Sequence, residues 1–349
     1  MLRARGARRG DRPDVPRATA ERRGEADVAP IASERVQRGL LRAVATTVLL
    51  ASLLAAVASV AVADHATAGL RLTTADGRAM TWWRPSEAPA RWIAPGAVAD
   101  AVSWRSAQRG VEWEELPLHG AGEARALRLI VARIDTRQVQ LSLAWGVDPS
   151  SARPAWSLDE APADAAVALN AGMFVDRLPW GWMVQRGAEL LPPARGPLSS
   201  AVVVTRAGQL HMVDGDDVQR WRASREVAEA FQTYATLLVG DGEVPLMLRD
   251  GEAIDRTHRD ARLAIGLDRE GRLLIALTRL DVALPGADRI PLGLTVPEMA
   301  AVMGSLGARQ AALLDGGISA QLRLREADGT VRSWRGLRDV PLALVAKPR

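Results

Sequence analysis

The chain contains no cysteine, so disulfides, thiolate catalysis and cysteine metal sites are excluded. Its four histidines, His65, His119, His211 and His258, are too scattered for a histidine-rich zinc site. There is no Gly-x-x-x-x-Gly-Lys segment for a phosphate loop, and Gly120-Ala121-Gly122 lacks the third glycine of a dinucleotide turn. No internal repeat is visible. A basic domain is missing as well. The formal charge is +4, but residues 1 to 42 hold eleven Arg against six acidic residues, which leaves 34 basic against 35 acidic residues beyond them. The positive charge belongs to the amino-terminal tail, and a nucleic-acid partner is not expected.

What is present suffices for a folded body, since 48% of 349 residues are hydrophobic, enough for one large domain or two ordinary ones. Residues 1 to 39, rich in Arg, Gly, Pro and Ala, read as a disordered cytoplasmic tail. Residues 40 to 63 read as a transmembrane signal-anchor, because the twenty-one residues from Ala43 to Ala63 carry no charge and match a bilayer core of about 30 Å. The Arg-rich flank places the amino terminus in the cytoplasm and the rest outside. Ala61-Val62-Ala63 has the form of a signal-peptidase site, so cleavage after Ala63 would yield a secreted product; the length of the apolar run favours retention. Arg pairs at 8 to 9 and 22 to 23 lie too far from that run for twin-Arg export. Residues 64 to 108 carry Pro85, Pro89, Pro95 and four Trp with no sustained period, and read as a linker. From 109 to 349 the texture is that of one folded domain.

Ala311 to Leu314 form an unbroken apolar run, the pattern of a strand buried on both faces, and the run stops at Asp315-Gly316-Gly317-Ile318-Ser319. The glycines allow positive φ and a close approach of a ligand to N–H groups beside a carboxylate, although a simple Asp-Gly turn has the same local pattern. Thr295-Val296-Pro297-Glu298 has capping-box spacing, Met299, Val302, Met303 and Leu306 recur at helical intervals, and Gly307 stands at the C-cap, so a helix feeds the strand. Ala165 to Leu169 is a second apolar run ending in Asn170-Ala171-Gly172, and the two strand ends can converge on one pocket. Leu127 to Ile134 and Val139 to Leu143 read as a hairpin, as do Ala201 to Thr205 with Gln209 to Val213, and Arg262 to Leu267 with a return strand through Leu277. Ala223 to Ala230 reads as a short helix. Many hairpins with few helices predict an α+β fold, a single mixed-sheet domain with packed helices.

Asn170-Ala171-Gly172-Met173-Phe174, the Pro179 to Gly187 segment, Arg262-Leu263-Ala264-Ile265-Gly266 and Leu314 to Ser319 occur in this order, with Gly293-Leu294-Thr295 and Leu306-Gly307-Ala308 between the last two. Through these motifs the chain resembles, over roughly residues 110 to 349, the phosphodiester glycosidase family. That family includes the lysosomal uncovering enzyme, which removes N-acetylglucosamine from a mannose 6-phosphate diester, and many bacterial exported proteins. The chain departs from the family pattern in three places: Ile318, Ser319 and Ala320 replace a third Gly and paired Ser, Leu263 replaces Thr, and Asp241 lacks the usual Gly-Pro before it.

Together with the signal-anchor, the resemblance implies an exported, membrane-tethered hydrolase that cleaves the bond between a sugar's anomeric carbon and a phosphodiester oxygen in cell-envelope glycan metabolism. A departing phosphomonoester is a weak base, so phosphate charge must be neutralised more than protons supplied. Arg262 is expected to grip two phosphate oxygens with its fork. Asp315 is expected to be nucleophile, base or stabiliser of the oxocarbenium-like carbon. Asn170 is expected to orient the sugar or to share a divalent cation, calcium or magnesium, with Asp315. Gly172, Gly181, Asp241, Gly316, Gly317 and Ser319 are expected to line the substrate site, with Ser319 donating to phosphate, and His258 stands in reserve as an acid. The competing expectation is a tethered module that binds anionic envelope glycans without chemistry, using Trp180 and Trp182 as stacking platforms.

Overall fold

The computed structural model describes residues 69–73, 77–147, 150, 153–250 and 254–349. The Arg-rich tail and the expected signal-anchor at 40 to 63 lie outside the described residues. Among the described residues no helix is long and apolar enough to cross a membrane.

In chain order the elements begin with β1 (Leu70–Thr73), β2 (Ala79–Trp83), α1 (Ala97–Ala101), β3 (Arg105–Ser106), β4 (Val111–His119), β5 (Leu127–Ile134) and β6 (Val139–Trp145). There follow β7 (Val167–Asn170), β8 (Met173–Val175), β9 (Leu178–Trp180), β10 (Met183–Gln185), β11 (Ala188–Leu191), β12 (Ser200–Thr205) and β13 (Leu210–Asp214). The chain continues through α2 (Val218–Arg222), β14 (Val227–Thr233), β15 (Thr236–Leu238), α3 (Leu246–Arg249), β16 (Leu263–Leu267) and β17 (Leu273–Leu280). It ends with α4 (Val296–Leu306), β18 (Gln310–Leu313), β19 (Leu322–Arg325), β20 (Val331–Trp334) and β21 (Leu342–Pro348).

These strands build a nine-stranded sheet in the order β15-β18-β16-β17-β5-β4-β1-β2, with β3 on β4. Two five-stranded sheets, β11-β10-β14-β12-β13 and β20-β19-β7-β21-β6, and the β8-β9 hairpin complete the set. Every ladder among the described strands is antiparallel, which corrects the expected mixed sheet. The domain is mostly β rather than α+β, and α4 with 11 residues is the one described helix longer than 5.

The unbroken apolar runs have a different cause from the parallel packing they suggest. The large sheet is covered on both faces, so successive residues serve two cores in turn. Leu263, Ile265, Ile275, Ala312 and Leu314 enter a core shared with the two smaller sheets. Ala264, Ala276, Ala311 and Leu313 enter a second core with Met299, Val302 and Met303 of α4. The helix begins at the expected capping box, in which Thr295 Oγ1 accepts from Glu298 N at 3.3 Å and Glu298 Oε2 accepts from Thr295 N at 2.8 Å. It ends at Gly307, whose φ of +107° is the left-handed cap that a side chain would resist.

Three further expectations are corrected. The segment at 64 to 108 is not a linker over its described part, because β1 to β3 extend the large sheet and Trp92 packs on α4 so closely that a Cβ on Gly304 would lie 2.3 Å from its ring. The strands at 127 and 139 do not form a hairpin: β5 pairs with β4 and β17, whereas β6 crosses to a small sheet and pairs with β21. Residues 223 to 230 are not helical; the helix is α2 and the chain then enters β14, whose middle position in its sheet buries Val227, Ala230 and Phe231.

Candidate active site

The antiparallel register of β16 and β18, in which Ala264 faces Leu313, runs on beyond both strands. Leu314 N donates to Leu263 O at 2.9 Å and Gly317 N donates to Ala261 O at 2.8 Å. Arg262 therefore stands opposite Asp315, and Asp260 stands opposite Gly317, on one face of the sheet. Gly317 has φ of +57°, and a Cβ on it would lie 2.8 Å from Asp260 Oδ2. The missing side chain is what admits the Asp260 carboxylate beside Asp315. Before the strand begins, Arg259 turns to the start of α4, where its guanidinium makes a two-pronged bond to Glu298 at 2.7 and 2.8 Å.

Asn170 arrives from the end of β7, so the site lies where the large sheet and one small sheet meet. It is fully buried, its Nδ2 donates to the Asp315 carbonyl at 2.8 Å, and its Oδ1 accepts from Gln321 N at 2.9 Å. Both ends of the amide are thus occupied by backbone, and Asn170 positions the Asp315 turn rather than orienting a sugar. Gly172 adds a second tie, its carbonyl accepting from Asp315 N at 2.9 Å.

Arg338, which no motif marked, completes the cluster. Its Nε donates to Ser319 Oγ at 2.9 Å, its Nη2 stands 3.6 Å from Asp315 Oδ2, and its guanidinium lies 4.4 Å from the centre of the Phe174 ring. Its side chain is 43% exposed, so a ligand can reach it. Asp315 Oδ2 is buried with no hydrogen-bond partner, the kind of orphaned polar atom that a binding site leaves for its guest. Burial pushes the Asp315 carboxyl above the usual range; the Ser319 hydroxyl and Arg338 oppose this, and Asp260 adds to it. Burial also pushes Asp260 up, against the pull of Arg262, the Ala261 N–H and His258. The row reads Arg262, Asp260, Asp315, Arg338: two acids side by side between two cations.

Behind the row, Arg279 of β17 is 1% exposed, and its Nη2 donates to the carbonyls of Ala320, Trp334 at 3.2 Å and Arg335 at 3.4 Å. Burial lowers its pKa to about 10. It gathers the two loops that carry Ser319 and Arg338.

Several expected roles are corrected. The Arg262 fork is partly spent, with Nε on Leu294 O at 2.9 Å and Nη2 on His258 O at 2.7 Å, so the edge bearing Nη1 is what is left for an anion. Ser319 is 1% exposed and its Oγ holds Arg338 Nε, so it orients that guanidinium and is not open to a ligand itself. The Gly317 N–H is taken by Ala261, and a Cβ on Gly316 would lie 2.7 Å from Ala261 O, so these glycines serve strand contact and not ligand approach. Gly181 belongs to a packed turn in which an added Cβ would meet Leu198 at 2.5 Å. Asp241 pairs with Arg309 at 3.5 Å and Arg269 at 3.7 Å near the start of β18, about 20 Å of strand from Asp315. His258 is 62% exposed, 3.8 Å from Asp260. Trp182 is buried and its Nε1 donates to Glu189, so it is no sugar platform. For a cation, Asn170 Oδ1 faces an N–H and Arg338 stands beside Asp315 Oδ2, a donor set that does not fit the expected pairing.

Arg338 and Asp260 escaped sequence reasoning. Period-two spacing before Arg262 held a signal for Asp260; Gly336-Leu337-Arg338-Asp339 held none.

The sequence pattern described as Phosphodiester glycosidase matches residues 163–347, a span that contains Asn170, Asp260, Arg262, Asp315 and Arg338. The chain belongs to the phosphodiester glycosidase family. No curated protein matches the chain. Among solved structures it is similar to the zebrafish N-acetylglucosamine-1-phosphodiester alpha-N-acetylglucosaminidase catalytic domain, auto-inhibited by its pro-peptide, at 17% identity and TM-score 0.47, over 74% of this chain and 95% of that one. It is also similar to a hypothetical protein from Synechocystis at 17% identity and TM-score 0.46, over 72% of this chain and 65% of that protein's length.

Proposed function

We propose that this protein is an exported hydrolase, tethered by its apolar segment at 40 to 63, that cleaves the bond between a sugar's anomeric carbon and a phosphodiester oxygen in envelope glycan metabolism. The observation that carries the reading is the pair Asp260 and Asp315 between Arg262 and Arg338, on the motifs of a phosphodiester glycosidase.

Two neighbouring, half-buried carboxyls resist ionising together, so the pair holds one proton between them. Asp315, in contact with Ser319 and Arg338, is the ionised member and faces the carbon where positive charge develops. Asp260 keeps the proton and donates it toward a phosphate oxygen, where a neutral group does not repel the anion. Arg338, with Nη1 of Arg262, neutralises the departing phosphate.

Incubation of the purified full chain with sugar 1-phosphodiesters tests this. Free sugar is expected from the parent and not from Asp315→Asn. Equal binding by both proteins without release would transfer the site to a glycan-binding module.

A further inference from the structure

The sugar and phosphate account for the acids and guanidinium groups, but not for what surrounds them. Ile318, 40% exposed, lies between Gly317 and Ser319, and Leu337, 49% exposed, directly precedes Arg338. Leu337 N donates to Ile318 O at 2.7 Å, which joins the two into one ledge. Across Arg338, the Phe174 ring leads to Val175, 51% exposed, which pairs over the hairpin with Leu178, 46% exposed. A third loop ends at Leu294, whose carbonyl holds Arg262, and it bears Leu284 at 64% and Ile290 at 42% exposure. Arg289 of that loop donates to Gly336 O at 2.8 Å, beside the ledge. Single exposed apolar residues are ordinary. Six of them on the four segments around the paired acids and cations mark a contact surface.

We infer that the phosphoryl partner of the substrate is a lipid, so that this site takes a glycosyl phospholipid whose hydrocarbon chain lies on the apolar rim. This inference rests on the hydrolase reading above. Ile318 and Leu337 adjoin Ser319 and Arg338 in the chain, so an occupant that meets both joins an anion directly to an apolar chain, as a lipid phosphodiester does. A polar phosphoryl partner would set hydroxyl groups against Ile318 and Leu337 and gain nothing from them. In the reaction the oxygen of water bonds to the anomeric carbon while the bond from that carbon to the phosphodiester oxygen breaks. The electron pair of the broken bond stays on the phosphate, the proton of Asp260 passes to that phosphate oxygen, a proton of the water replaces it on the carboxyl pair, and the products are the free sugar and a lipid phosphomonoester.

The test uses the full chain and a series of glycosyl 1-phosphodiesters of glycerol, ethanol, hexanol and decanol, each below its micelle concentration. We expect kcat/KM to rise about tenfold or more from ethyl to decyl. The double substitution Ile318→Ser with Leu337→Ser is expected to compress that decyl-to-ethyl ratio toward one. Cleavage of all four diesters with equal kcat/KM would overturn the lipid assignment and leave the hydrolase standing. Cleavage of none would remove both. A chain-length dependence unchanged by the double substitution would also overturn it, because the preference would then reside elsewhere.

Discussion

Arg338 Nη2 stands 3.6 Å from Asp315 Oδ2, too far for a hydrogen bond and near enough for each charge to govern the other. That spacing leaves Asp315 Oδ2 without a bonded donor, beside a guanidinium whose Nε alone is held, by Ser319 Oγ. An arriving phosphodiester can use both.

Replacing Arg338 separates its two effects. Arg338→Met is expected to lower kcat/KM by about 100-fold or more, as the loss of a charge-stabilising donor does. Arg338 holds the Asp315 carboxyl down, so its removal lets that carboxyl rise, and the acid limb of the pH–rate profile moves to higher pH. Arg338→Lys restores charge without the planar fork and should recover the position of the limb better than the rate. A pH–rate profile of the three proteins checks this.

Asp260→Asn acts on the other limb. Asp260 already holds its proton while Asp315 ionises, so a neutral Asn should leave the acid limb near its parent position. Asp260 is itself held above the usual carboxylate range, so the alkaline limb caused by loss of its proton should vanish. The expected rate loss is about 100-fold. An unchanged alkaline limb would show that another group supplies the proton.

Gly317→Ala tests the gap that admits Asp260. A side chain at φ of +57°, with its Cβ 2.8 Å from the Asp260 carboxylate, should cost about 1–2 kcal/mol of stability. Activity is expected to fall further than that loss explains, because the carboxylate must move. Urea unfolding and kcat measured on the same preparation separate the two effects.

Arg279→Met leaves the carbonyls of Ala320, Trp334 and Arg335 without their buried donor. Stability should drop by about 3 kcal/mol, read as a lower urea midpoint with the slope retained. Both loops behind the acid row lose their common tie, so kcat should decline with it.

Asp315, its glycines, the capped helix and the convergence of Asn170 on Asp315 were legible because each rests on local pattern: an apolar run, a capping box, a breaker. The strand pairings were less so. An apolar run such as Ala311 to Leu314 reads alike whether its neighbours are parallel or antiparallel, and a turn such as Asp135 to Gln138 does not say that the next strand leaves for another sheet. The site was half legible for a related reason. Sequence motifs named the backbone scaffold, Asn170 and the glycines, as if it were the chemistry. Arg338, which meets the acid through space from a loop 23 residues downstream, had no local pattern to mark it.

The backbone between His258 and Arg262 is stitched on two sides at once. Asp260 exchanges bonds with Leu294 at 3.2 and 3.0 Å, and Ala261 O accepts from Gly317 N at 2.8 Å. Loss or gain of one residue here would slide both seams, carrying Asp260 and Arg262 away from Asp315 and Arg259 away from Glu298 together. Side chains in this segment can be exchanged one by one over evolutionary time, whereas its length is pinned.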